Sequence, residues 1–321
     1  ELYSARRRWF LLCREKGKWM KKLKSLGFAV IYLLIPIVLQ LTLSAMISFH
    51  IVAVRLLYGI EYDADKLEAW ISSAQINMIL IMLVNATIIV GVGIWYWYLR
   101  KVHQPVKETG RYRRILRPQA IVTILFLAFA SQFVCNILMS VFQNLFPAIY
   151  ADYMKLADTM SLKTMPAPAM IAIVGIFGPI AEELVFRGMV FRTLRKGFPF
   201  AVAALLSGVC FGIYHMNWVQ GVYASCLGVV LAFVYERTRS ILGAVLFHMF
   251  FNCSSYLLEL LGDVLPDGVL GLVYLIAMAV SVVAFIPLLR KVARLFPVPE
   301  KKLQKREETS MIQEEEDDEN V

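Results

Sequence analysis

Residues 168–190 read PAMIAIVGIFGPIAEELVFRGMV, an apolar run broken only by Glu182, Glu183 and Arg187. About 20 apolar residues cross a bilayer as a single helix, so this stretch is long enough to be a membrane span. Charges inside a span are costly and are by default signs of function. On a helix, Glu183 and Arg187 stand at i,i+4 on one face and can neutralise each other. Adjacent residues point about 100° apart, which leaves Glu182 as the unpaired acid. The plainer reading is a structural Glu/Arg clamp near the membrane interface.

Working outward, seven further apolar runs separate at polar breaks, giving helices near 26–50, 74–99, 119–146, 168–190, 199–215, 219–235, 241–261 and 268–289. The fold class expected is therefore all-α, a polytopic membrane protein of about eight transmembrane helices. Composition agrees: 59% of the 321 residues are hydrophobic and the mean hydropathy is +0.63, too apolar for a soluble domain. The net charge of +9 hides a split. Residues 307–321 hold eight of the 24 carboxylates, so residues 1–306 carry 16 acidic groups against 33 basic ones. Such a body fits loops facing anionic lipid rather than nucleic acid.

The loops alternate in charge. Arg6 to Lys24, Arg100 to Arg117, Arg192 to Lys196, Arg237 with Arg239, and Arg290 to Arg306 are basic; Glu61 to Glu68 and Asp263 to Asp267 are acidic; Asp152 to Lys163 is mixed; His215 to Gly221 is uncharged. The positive-inside rule then puts every basic loop in the cytoplasm, giving eight crossings of the cell membrane with both termini cytoplasmic. The apolar stretch after the basic start exceeds the h-region of a signal peptide and is expected to stay as the first span. The five cysteines lie mostly within apolar runs and never in CxxC spacing, which suits small buried residues rather than a disulfide frame or a zinc site. The organisation expected is a basic N-terminal segment (1–25), three N-terminal spans (26–150), a catalytic core (151–290, with its motifs in 168–262) and a cytoplasmic tail (291–321), basic and then acidic and disordered.

Two of the four histidines fall in later spans, each with a partner one helical turn away: Phe211 with His215 in FGIYH, and His248 with Asn252 in HMFFN. Each pair also has a plain reading, His215 in a polar turn beside Asn217 and Gln220, Asn252 as an amide bridging helices. Depth favours a site. If the fourth and fifth helices form a hairpin turning near Phe198, Glu182 and His215 lie about 16 residues from the turn, or roughly 24 Å along each helix. His248, about nine residues past Arg239, comes to a similar depth. His215 lies close to the far turn, so the fifth helix is either short or reverses inside the membrane.

A carboxylate, two histidines and an amide in a shielded layer suit hydrolysis by activated water. Glu182 would take the proton, His215 would hold the water, and His248 with Asn252 would donate to the oxyanion. No HExxH or GxSxG occurs, and Tyr62-Asp63 and Gly262-Asp263 lack the flanking pattern of aspartyl intramembrane proteases.

EELVFRG, FGIYH and HMFFN together resemble the EExxxR, FxxxH and HxxxN motifs of the CAAX-prenyl-protease and bacteriocin-processing (Abi) family of intramembrane glutamate endopeptidases. The resemblance spans about residues 168–262. It implies that Glu182 with His215 activates water, that His248 with Asn252 forms the oxyanion site, that Glu183 and Arg187 support them, and that Phe211 packs. The substrate implied is a membrane-associated peptide or protein, either CAAX-type or a bacteriocin or leader peptide, with membrane lipids as the other partner and no cofactor. Two rivals stay open: Glu182, His215 and His248 as zinc ligands, and a non-proteolytic immunity scaffold or transporter that uses the buried charges for contact.

Overall fold

The computed structural model describes residues 2–58, 74–103, 111–159 and 167–297. The Glu61 to Glu68 loop, the middle of the Arg100 to Arg117 loop, the end of the Asp152 to Lys163 loop and the acidic tail lie outside them. The described residues are helical, with no strand among them. In chain order the helices are α1 (Leu2–Tyr58), α2 (Ala74–His103), the short α3 (Arg111–Ile115), α4 (Pro118–Leu145), α5 (Pro147–Thr159), α6 (residues 167–197), α7 (Phe200–Tyr214), α8 (Trp218–Thr238), α9 (Ile241–Val264) and α10 (Asp267–Leu295). Proline opens both α4 and α5, where its missing N–H is one the helix start would leave unused.

Seven of these helices are long and apolar enough to cross a membrane. The eighth expected crossing, α7, has 15 residues. At 1.5 Å per residue it rises about 22 Å, against a hydrocarbon layer of about 30 Å. The reversal after α7 therefore lies at membrane depth if the α6–α7 turn sits at the interface. Two other boundaries differ from the sequence reading. The first helix, expected from residue 26, runs unbroken from Leu2, because lysine and arginine are good helix formers and no proline interrupts the basic stretch. The mixed loop near Asp152 is largely α5, a 13-residue helix too short and too polar to register as a span.

Helices α7 and α8 pack through small residues. A Cβ added to Gly228 of α8 would stand 2.7 Å from the Cα of Gly208 in α7, and one added to Gly212 would collide with Ser225 and Gly221. Van der Waals contact between backbones is what joins helices in lipid, and it needs small side chains at the crossing. The α6–α7 turn at Phe198 is held by Arg195, whose Nη1 donates to the Phe198 carbonyl at 2.9 Å while Nη2 pairs with Glu236 at 3.1 Å. Arg239 ends α8 in the left-handed conformation and also reaches Glu236, at 3.0 Å. These contacts bring the basic ends of α6 and α8 together. The core between α6, α7, α8 and α9 includes Phe186, Phe191, Leu194, Phe211, Leu231 and Phe247, all fully buried. Outward-facing Val264, Val283 and Trp218 are more than three-quarters exposed, as lipid-facing residues are.

Candidate active site

Helix α6 is built of alternating turns. Two π-helical stretches, Ile171–Phe177 and Phe186–Phe191, bracket an α-helical segment, Gly178–Val185, that carries both glutamates. The first π stretch closes with the Gly178 N–H donating to the carbonyl of Ile173, five residues back. Wide turns of this kind recur at functional sites because they re-aim the side chains that follow them.

Glu183 is completely buried, and its Oε1 takes two donors: Arg187 Nη1 at 2.9 Å and His248 Nδ1 at 2.9 Å. Arg187 is equally buried. Its Nη2 donates to the Gly228 carbonyl at 3.0 Å, and its guanidinium lies 4.8 Å from the centre of the Phe211 ring. One cation thus joins α6 to α7 and α8. Glu182 is different, for its side chain keeps 18% of its surface and its Oε2 stands 3.6 Å from His248 Nε2. His248 therefore sits between the two glutamates, one on each ring nitrogen.

Phe211 is the spacer of the layer. Its ring meets His215 edge-on at 5.0 Å, His248 at 5.8 Å and Phe186 at 4.9 Å. Phe186 lies four residues after Glu182, and Phe211 four before His215, so their contact sets Glu182 and His215 at one level of the antiparallel α6–α7 pair. No hydrogen bond joins these two among the described residues. His215 closes α7, and Asn217 Nδ2 donates to its carbonyl at 3.1 Å. Met216 then reverses the chain with φ 53°, and Asn217 caps α8 by accepting from the Gln220 N–H at 2.7 Å. Asn252, one turn beyond His248, donates through Nδ2 to the Val174 carbonyl at 2.7 Å. The zinc alternative asks Glu182, His215 and His248 to converge; among the described residues no three His, Cys, Asp or Glu side chains are gathered as metal ligands.

Sequence reasoning missed the carbonyls of Gly228 and Val174, which anchor Arg187 and Asn252. It also missed a polar chain behind α9. There Ser255 donates to Gln132 at 2.9 Å, Gln132 to Asn136 at 3.1 Å, and Asn136 to the Tyr274 hydroxyl at 2.8 Å, linking α9 to α4 and α10. Amides in apolar runs were the only available signal for it.

Residues 164–254, which include every motif residue from Glu182 to Asn252, match the family model described as Type II CAAX prenyl endopeptidase Rce1-like. This segment is therefore similar to the CAAX endopeptidase family. The chain is also similar to the Bacillus subtilis (strain 168) protein named "Putative membrane peptidase YdiL". That alignment is 34% identical over 93 residues and covers 29% of this chain. It spans 38% of the length of that relative. No solved structure matches the chain. The segment matched by the family model takes in helices α6 to α8 and the first half of α9, and leaves α1 to α5 and α10 outside the likeness.

Proposed function

We propose that this protein is an intramembrane endopeptidase that hydrolyses a peptide bond in a membrane-associated peptide or protein, using water activated by Glu182. The observation that carries the reading is the placement of His248 between a sealed glutamate, Glu183, and a partly accessible one, Glu182. In this reading Glu182 takes a proton from water held from the other side by His215. The oxygen adds to the scissile carbonyl, the oxyanion accepts from His248 and Asn252, and Glu182 returns the proton to the departing amine. An amide nitrogen carries two hydrogens. Asn252 can therefore keep its bond to Val174, which fixes its direction, and offer the second hydrogen to the oxyanion. Both CAAX-type cleavage and leader or bacteriocin processing are peptide-bond hydrolyses that this chemistry would serve. The test is peptide cleavage by the purified protein in liposomes, wild type beside Glu182→Gln.

The same assay separates this mechanism from a zinc one. Asn252→Ala should lower kcat by about 10² to 10³ with little change in KM, because the donor matters once charge develops on the carbonyl oxygen. His248→Ala should behave similarly, and neither effect should respond to added metal. A stoichiometric metal that leaves with activity on chelation, and restores it on return, would overturn the glutamate reading.

The orientation we propose has the α6–α7 turn and both termini on the cytoplasmic side, supported by the basic residues gathered at that end. In a cysteine-free background, Lys196→Cys should be labelled by an impermeant thiol reagent from the cytoplasm and Val264→Cys from the opposite face. The reverse pattern would invert the topology.

A further inference from the structure

Glu183 is bound on one oxygen and bare on the other. Oε1 accepts from both Arg187 and His248, whereas Oε2 is buried with no partner. Arginine keeps its charge in proteins, so its partner is held as a carboxylate, which can only accept hydrogen bonds. A ring nitrogen 2.9 Å from such an oxygen must carry hydrogen. Otherwise two lone pairs would face each other at contact distance, on a carboxylate already short of one partner. The proton on His248 Nδ1 is thus committed, and the ring can meet anything else only through Nε2. A neutral ring with its proton on Nδ1 has a bare Nε2, which accepts but cannot donate.

We propose that Glu183 is a positioning residue that holds the Nδ1 proton of His248 throughout the reaction, so that His248 donates to the oxyanion from Nε2 and only as an imidazolium counterbalanced by Glu182. This rests on the hydrolytic reading above and adds the protonation state through which it works. Charge conservation supports it. Arg187 and Glu183 cancel, and an ionised Glu182 cancels an imidazolium 3.6 Å away, so the resting layer is neutral. When water adds to the carbonyl, its proton moves to Glu182, the new C–O bond forms and the carbonyl electron pair becomes the oxyanion. The negative charge passes from Glu182 to the oxyanion, the imidazolium stays opposite to it, and the layer is neutral again. With a neutral His248, the same step would leave one uncompensated negative charge in a water-poor site.

The chain has four histidines, so ring-15N histidine labelling of the whole protein in lipid gives a spectrum simple enough to assign, with the His248 signals identified by their loss in His248→Gln. In the wild type, Nδ1 of His248 should be protonated and Nε2 should carry the second proton. In Glu182→Gln, Nε2 should lose its proton while Nδ1 keeps its own. In Glu183→Ala, the ring should divide between its two neutral tautomers. An unprotonated Nδ1 in the wild type overturns the proposal, as does an Nε2 equally protonated in Glu182→Gln. If Glu183→Ala fails to fold, the wild-type tautomer alone decides. The spectrum needs no turnover, so an inactive protein with Nδ1 protonated would remove the hydrolytic reading only, and an active one with Nδ1 bare would remove this inference only.

Discussion

Glu182→Gln is expected to stop peptide cleavage while the protein stays folded. Loss of a general base costs about 10² to 10⁴ in rate, and the amide keeps the shape of the acid while giving up its basic lone pair. Folding should be spared because Glu182 carries little of the structure. Its side chain is partly exposed, and its one ionic contact among the described residues, with His248 at 3.6 Å, is longer than a hydrogen bond. Rates in liposomes and thermal unfolding of the same preparations read the two effects apart. Cleavage within about tenfold of wild type would remove Glu182 from the role of base.

Arg187→Ala should do the opposite and damage the fold first. Arg187 is fully buried, pairs with Glu183, donates to the Gly228 carbonyl and lies on the Phe211 ring. Its removal leaves a carboxylate in the membrane interior with only His248 to answer it and a void beside an aromatic ring. Breaking one side of a buried ion pair commonly costs about 3 to 5 kcal/mol. The melting temperature should fall along with activity, in contrast to Glu182→Gln. Equal melting temperatures for Arg187→Ala and wild type would show that the pair contributes nothing to stability.

The long apolar helices were legible because lipid demands uninterrupted runs of a fixed length, and polar breaks mark their ends. Helix α5 and the start of α1 were not, since neither is apolar and both look like loops when hydropathy is the guide. Within the site, Glu183 and Arg187 were paired correctly from their spacing, although the helix passes from α to π between them. The partners of His248 were not legible. Spacing tied it to Asn252, whereas its glutamate contact on Nδ1 comes from a residue 65 positions away. The carbonyls of Val174 and Gly228 left no trace in the sequence because every residue has one. What made them available was backbone geometry: a π turn at Val174 and a glycine crossing at Gly228.

Helix α7 ends about 8 Å short of the hydrocarbon thickness. A bilayer meets such a deficit by thinning beside the protein or by letting polar material dip toward the short end. The short end is the His215 reversal, with Met216 and Trp218 turned outward beside it. Hydrolysis consumes one water per bond, and an oily layer is where water is scarcest. On the hydrolytic reading, polar material dipping by about 8 Å at that end would bring water to the level of His215, where α7 closes.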